Sequence, residues 1–148
     1  MKTSKYYDQA LVVSQSAEPD FPRALRLLNR AYKQGDHRAA YALGTWYLYG
    51  KGDLVAKDLA KAAQLLREAA ESDNADAAYD LAVSYEKGMG VRKSEKKAAL
   101  LYLKAALLGD KQSIYHVGRC YQHGLGVKRD RPIAAIWYDR AAKLGFKR

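Results

Sequence analysis

The chain has 148 residues, a length that suits one domain, and 49% of them are hydrophobic. Its single cysteine excludes an internal disulfide framework and fits a reducing compartment. No segment approaches the roughly 20 apolar residues that a membrane-spanning helix needs, and residues 1–8 lack the apolar core of a secretory signal. We therefore expect a cytoplasmic protein without a membrane partner.

The net charge of +10 is spread unevenly along the chain. Residues 1–36 carry +2, residues 37–74 carry 0, residues 75–110 carry +1 and residues 111–148 carry +7. A local basic excess attracts an acidic partner, and it also keeps a protein in solution. The basic end is therefore predicted either to steer an acidic partner or to be a solvated cap.

The first 36 residues are predicted to form two helices. Helix A is predicted at about residues 5–16 and helix B at residues 21–33. Asp20 is a favourable N-cap for helix B, and Pro22 is tolerated in its first turn. Because no Gly-x-Gly loop joins the two helices, this pair differs from the rest of the chain.

The rest of the chain repeats one pattern three times. Gly-x-Gly follows an apolar segment that ends in tyrosine and precedes a segment that ends in paired alanines, at residues 50–52, 88–90 and 124–126. The offset between copies is 36 residues, apart from the insertion of Asp53-Leu54 in the first loop. A period of this length marks stacked helical repeats. The predicted units are 1–36 (degenerate, a terminal cap), 37–74, 75–110 and 111–148, within one repeat domain over 1–148.

Each full unit is predicted to contain helix A, a glycine loop and helix B. Helix A of the second full unit is predicted at residues 75–87, where apolar residues recur at i, i+3, i+4 and i+7. Gly44, Ala82 and Gly118 share one position of this stripe. Small residues there allow a neighbouring helix to approach closely, and this packing compensates for the low helix propensity of glycine.

Polar caps and glycines mark the ends of the helices. Asp58, Ser94 and Asp130 are suitable N-caps for the B helices, the last of which is predicted at residues 131–144. The first glycine of each loop can adopt the left-handed conformation that ends helix A. The elements together predict an all-α fold, a right-handed α/α superhelical solenoid of about four helix pairs.

The motif Leu-Gly-x-x-Tyr-x-x-Gly-x-Gly at residues 43–52 has counterparts at 81–90 and 117–126. With Trp137 and Ala-Ala-x-x-Gly at 141–145, this pattern resembles the Sel-one-like repeat family, relatives of the tetratricopeptide repeat. Members of the family are adaptors that hold proteins or peptides in complexes. The resemblance implies a bacterial, non-catalytic protein-interaction module, either an adaptor or an immunity-type inhibitor.

The same resemblance implies that the A helices line a concave surface. By the tetratricopeptide-like register, Tyr41, Tyr79 and Tyr115 occupy one equivalent position in three successive units. Tyrosines in series offer rigid contact area to a peptide or loop, and the alternative is that their rings pack between adjacent A helices. The predicted partner-binding residues, with the three tyrosines and Arg119 as anchors, are Arg38, Tyr41, Thr45, Tyr49, Tyr79, Val83, Lys87, Tyr115, Arg119 and His123.

Other chemistry has little support in the sequence. His116, Cys120 and His123 share one face of the last helix A, but no fourth ligand is evident nearby, so no metal site is predicted. The Gly-x-Gly loops follow helices and lack the Gly-Lys-Ser/Thr ending of a phosphate-binding loop. Carboxylates are scattered without the spacing of a catalytic pair, so neither enzyme activity nor a cofactor is predicted.

Nucleic-acid binding by the last unit is the alternative function. Basic side chains there could neutralise phosphates: Lys128, Arg129, Arg131, Arg140, Lys143, Lys147 and Arg148. The excess is confined to one end and is not interleaved with a regular series of aromatic residues. We therefore expect an acidic protein or peptide as partner rather than a nucleic acid, and a gel-shift titration at low salt separates the two.

Overall fold

The computed structural model describes residues 2–146, in which eight helices occur. They are α1 (Lys5–Ser14), α2 (Phe21–Lys33), α3 (His37–Tyr49), α4 (Leu59–Glu71), α5 (Ala75–Lys87), α6 (Glu95–Leu107), α7 (Lys111–His123) and α8 (Arg131–Lys143). The prediction of an all-α fold is confirmed. Helix α1 ends two residues earlier than predicted, and the hydroxyl of Ser16 beyond its end donates to the carbonyl of Val13. The odd-numbered helices are the A helices, and the even-numbered ones are the B helices.

The helices divide into two compact units, α1–α4 up to Asn74 and α5–α8 from Ala75 onwards. In unit 1, α1 packs on α2, α3 packs on α4, and α2 packs on α3. In unit 2, α5 packs on α6, α7 packs on α8, and α6 packs on α7. Each unit is therefore two helix pairs in series, and the prediction of one domain over residues 1–148 stays a prediction. Across the described chain, every helix is too short or too polar to cross a bilayer.

The B helices begin at the predicted caps. The carboxylates of Asp20, Asp58 and Asp130 and the hydroxyl of Ser94 each accept a hydrogen bond from the backbone N–H three residues later, at 3.0 to 3.2 Å. Each cap satisfies a backbone donor that the first turn would otherwise leave unpaired, which stabilises the helix by about 1 kcal/mol. These local contacts fix where each B helix starts.

The two helical glycines lie where a pair of helices approaches closely, as predicted. A Cβ atom on Gly44 would lie 3.1 Å from the side chain of Leu66 in α4. A Cβ atom on Gly118 would lie 3.0 Å from the ring of Tyr138 in α8. Leu66 and Tyr138 occupy the same repeat position, so the pairs α3–α4 and α7–α8 use one packing arrangement with different side chains.

Candidate functional site

Arg38 is bound to the N-terminal residues of unit 1. Its guanidinium pairs with the carboxylate of Asp36 at 2.7 Å and lies 4.2 Å from the ring centroid of Tyr7. The buried Asp36 carboxylate also accepts from the backbone N–H of Ser4 at 2.8 Å. Burial alone would raise the pKa of Asp36, but hydrogen bonds from Arg38 and Ser4 lower it, so the carboxylate stays charged. Arg38 thus stabilises the fold, while part of its side chain stays accessible.

The other predicted residues of unit 1 lie on the same helix, α3, with different exposures. Tyr49 is 74% exposed, whereas Tyr41 and Thr45 are half-buried. The Thr45 hydroxyl donates to the carbonyl of Ala42 in its own helix at 2.7 Å. Tyr49 therefore offers the largest accessible ring on this helix.

Five rings from α5–α8 form what we call the aromatic cluster: Tyr79, Tyr102, Tyr115, His116 and Tyr138. The imidazole of His116 stacks on Tyr102, with centroids 4.5 Å apart and planes 8° apart. Tyr79 contacts these two rings, 5.9 Å from Tyr102 and 5.6 Å from His116. Tyr115 lies 5.7 Å from His116 and 5.5 Å from Tyr138. Tyr79 and Tyr115 therefore pack against neighbouring helices, and yet both remain only half-buried.

Arg119 connects α7 to α5. Its guanidinium forms an ion pair with Glu86 and lies 3.3 Å from Nδ1 of His116. Since a guanidinium only donates, this contact requires Nδ1 to accept and places the proton of the neutral imidazole on Nε2. Burial, and next the charge of Arg119, lower the pKa of His116, so the ring is neutral at pH 7.

A pocket of about 220 Å³ lies beside this ion pair, lined by Glu86, Lys93, Glu95, Ala98, Arg119, Cys120 and Leu125. The thiol of Cys120 is buried, and burial raises its pKa to about 11. It is therefore protonated and a weak nucleophile at neutral pH. With charged groups among its lining and an apolar part beside them, the pocket suits a side chain of a partner better than it suits covalent chemistry.

The remaining predicted residues of unit 2 differ in exposure. Val83 is half-buried, and Lys87 and His123 are exposed. The three residues considered as metal ligands are not brought together, because His116 is stacked, Cys120 is buried and His123 faces solvent. Within residues 2–146, no cluster of three His, Cys, Asp or Glu side chains is placed to hold a metal ion.

The helix pairs correspond to a known repeat. A model of the Sel1 repeat matches residues 14–36, 37–74, 75–110 and 111–146. The chain belongs to the Sel1 repeat family. The predicted resemblance is confirmed, and Sel1 repeats are generally non-catalytic scaffolds for protein interactions.

Solved structures similar to the Sel1 chain agree with this classification. Over 95% of its length the chain matches a protective antigen of uropathogenic Escherichia coli that displays an SLR fold, with a TM-score of 0.88 and 30% identity. A Sel1 repeat protein from Oxalobacter formigenes matches 95% of it with a TM-score of 0.87 and 26% identity. The chain spans 30% and 58% of these two proteins.

More distant structures share the fold. An immunity protein from Pseudomonas aeruginosa matches 96% of the Sel1 chain, which covers 53% of that protein, with a TM-score of 0.64 and 20% identity. At this identity the likeness concerns the fold alone. The solenoid class predicted from the sequence is confirmed by these neighbours. A search of curated proteins gave no match.

The B helices supply a part of the site that was not predicted from the sequence. The ring of Tyr102 packs against Tyr79, and the ring of Tyr138 packs against Tyr115. Neither Tyr102 nor Tyr138 was among the predicted site residues. A signal for them was present, because both are tyrosines at a repeat position where the earlier units have Leu28 and Leu66. Two tyrosines at the repeat position where unit 1 has leucines indicate that neighbouring helix pairs pack on each other differently in unit 2 than in unit 1.

We expect the stability of the Sel1 chain to depend on pH through His116. Its pKa in the folded protein lies below the ordinary 6.5, so the unfolded chain binds more protons as the pH approaches that value. The contribution of neutral His116 to stability is therefore fully present above about pH 6.5, and it is lost as the pH falls toward the lower pKa of the folded protein. Thermal unfolding between about pH 7.5 and 5.5 measures this slope.

His116→Phe is the test variant, because phenylalanine keeps the stack on Tyr102 and cannot titrate. Its melting temperature is expected to change less over this range than that of the wild type. His123→Gln removes an exposed histidine and is expected to keep the wild-type slope. Equal slopes for wild type and His116→Phe would contradict the assignment.

Proposed function

We propose that this Sel1 chain is a non-catalytic protein-binding module whose partner binds the helix-A face of unit 2. The face is defined by Tyr79, Val83 and Lys87 of α5 and by Tyr115, Arg119 and His123 of α7. The observation that carries the proposal is the aromatic cluster, which holds Tyr79 and Tyr115 in place while both residues stay only half-buried.

Rings held in this way suit recognition for an energetic reason. Ordering a flexible side chain on binding costs about 0.5–1.5 kcal/mol, and a ring already fixed by its neighbours avoids most of this cost. Tyrosine also offers a large apolar surface with a hydroxyl at its end, and tyrosine and arginine are enriched among residues that dominate binding energy. Tyr79, Tyr115 and Arg119 combine these properties on two neighbouring A helices.

The charges on this face favour an acidic partner. Lys87 is exposed at the C-terminal end of α5, and Arg119 adds a guanidinium from α7. A guanidinium has five N–H donors, and the ion pair of Arg119 with Glu86 leaves some of them for a second carboxylate. An acidic side chain of the partner would therefore complete the polar rim of the adjacent pocket.

Two roles fit this mechanism, an adaptor that holds one partner in a complex and an immunity-type inhibitor that covers a partner's surface. Both require a preformed face, and the likeness in fold to an immunity protein is compatible with the second role.

The helix-A residues of unit 1 are a second proposed contact surface: Arg38, Tyr41, Thr45 and Tyr49. A bacterial, cytoplasmic location belongs to the same proposal.

The partner is identified first, by co-purification of the untagged protein from its native host and mass spectrometry. Its affinity is then measured by calorimetry. Lys87→Glu combined with His123→Glu is expected to weaken binding at least about tenfold, because it places two negative charges on the face that binds the acidic partner. Tyr79→Ala combined with Arg119→Ala removes two anchors and is expected to abolish binding.

Arg23→Glu combined with Arg26→Glu is the matched control, because it introduces two acidic residues at exposed positions of α2. This control is expected to bind as the wild type does. Circular dichroism shows whether each variant keeps its helices, which matters for Tyr79 because its ring packs on Tyr102. Wild-type affinity in the Tyr79 and Arg119 double variant would refute the proposed face.

A further inference from the structure

The B helices of unit 2 expose six large aliphatic side chains. We call the face that carries them the outer stripe: Leu100, Leu107 and Leu108 of α6 with its C-cap, and Ile133, Ile136 and Leu144 of α8 with its C-cap. Single exposed leucines are common on soluble proteins, but a set that recurs at equivalent positions of two helices indicates an interaction surface.

Repeat equivalence places these residues on one side of unit 2. Leu100 and Ile136 are 36 residues apart, at the same position of their B helices, and are 58% and 59% exposed. Leu108 and Leu144 are a second equivalent pair, and both are exposed. The α6 and α8 helices therefore present the same face of the repeat to solvent.

The fold itself does not require aliphatic residues at these positions. Unit 1 carries Arg26 and Gln64 at the position of Leu100, and both of these polar residues are exposed. At the position of Leu108 it carries Gln34 and Ser72, which are exposed as well. The same helices thus form with a polar outer face, so the aliphatic residues of unit 2 serve something other than folding.

Cations alternate with the aliphatic residues along the outer stripe. Lys104 lies one turn after Leu100 on α6, and Arg140 and Lys143 lie between Ile136 and Leu144 on α8. Lys97 lies one turn before Leu100, but its ammonium packs over the ring of Tyr85 in α5, 5.3 Å from the centroid. Asp139 is the acidic residue beside them and pairs with Lys143 at 3.1 Å. The stripe is therefore basic and aliphatic together.

We propose that the outer stripe binds the surface of an anionic lipid bilayer. Short aliphatic anchors enter the boundary between headgroups and acyl chains, while long basic side chains reach the lipid phosphates. A groove for a partner helix needs a continuous apolar floor, and here Lys104 and Arg140 interrupt it at equivalent positions of α6 and α8. This proposal replaces the sequence-based expectation of no membrane partner, and it is independent of the helix-A face.

Co-sedimentation with lipid vesicles tests the proposal directly. The wild-type protein is expected to bind vesicles of phosphatidylcholine with about one quarter phosphatidylglycerol at least about fivefold more strongly than pure phosphatidylcholine. Leu100→Gln combined with Ile136→Gln is expected to lower the partition coefficient at least about tenfold, because two anchors are lost. Arg140→Gln combined with Lys143→Gln removes two exposed cations and is expected to weaken binding to the anionic vesicles only.

Val12→Gln combined with Leu54→Gln is the matched control, since it removes two exposed aliphatic side chains from unit 1. It is expected to bind anionic vesicles as the wild type does. The proposal is wrong if the wild type does not bind vesicles. It is also wrong if binding survives the loss of Leu100 and Ile136, because the attraction is then electrostatic and non-specific. If an acidic amphipathic peptide binds the stripe while vesicles do not, the occupant is a protein helix instead, and the proposal is equally wrong.

Discussion

Replacing Gly126 with alanine is expected to lower the free energy of unfolding by about 3 kcal/mol or more. Gly126 has a φ of +73°, and an added Cβ atom would overlap the carbonyl group of Glu95 and come within 2.7 Å of the backbone nitrogen of Lys96. These atoms belong to the first turn of α6 and cannot move without disturbing it. Equilibrium unfolding in urea measures the loss.

Gly52→Ala separates the clash from the backbone strain. Gly52 holds the same repeat position and has a φ of +52°, but an added Cβ atom would meet nothing within 4 Å. The control is therefore expected to lose only about 1 kcal/mol, the cost of a left-handed conformation in a residue other than glycine. Equal losses in the two variants would show that the loop between α7 and α8 does not press on the start of α6.

Features that depend on a few adjacent residues were predictable from the sequence. The bounds of α2 and α5 were confirmed, and so were the caps at Asp58 and Ser94. Such signals work because an N-cap and the backbone donor it satisfies are three residues apart, within one turn. The period then repeats each signal, so an ambiguous copy is supported by its equivalents.

Contacts between helices were not predictable in the same way. Arg119 pairs with Glu86 across 33 residues, and the positions equivalent to Arg119 hold Thr45 and Val83, so no repeat pattern indicates the pair. His116 likewise differs from Ala42 and Asp80 at its equivalent positions, and its stack on Tyr102 depends on how α6 lies beside α7. These contacts belong to one junction within unit 2 rather than to the repeat.

The exposed residues of the outer stripe were not predictable from the sequence either, because the rotation of α6 about its own axis was not. The α6 segment contains leucine at 100, 101, 103 and 107, so the apolar residues surround the helix and do not reveal which of them face solvent. The structure leaves Leu100 exposed and half-buries Leu101 beside it. A face with both leucine and lysine is easily attributed to the core until the exposure of each side chain is known.

Replacing Tyr102 is expected to give opposite results for two substitutions. Tyr102→Ala is expected to cost about 3–5 kcal/mol, because it removes a fully buried ring and leaves a cavity beneath His116. Tyr102→Phe is expected to raise the free energy of unfolding by about 1 kcal/mol. Equilibrium unfolding in urea at pH 7.5 or so distinguishes the two outcomes.

The gain from phenylalanine follows from the Tyr102 hydroxyl. Among residues 2–146 this buried oxygen finds no hydrogen-bond partner, and burial raises the pKa of the phenol, so the group stays neutral and loses its bonds to water on folding. Phenylalanine keeps the ring that stacks on His116 and removes the unsatisfied group. Tyr49→Phe, at an exposed ring, is expected to change stability by less than about 0.5 kcal/mol. A clear loss of stability in Tyr102→Phe would show that the hydroxyl is hydrogen-bonded in solution, and that the ring is held by a polar contact as well as by stacking.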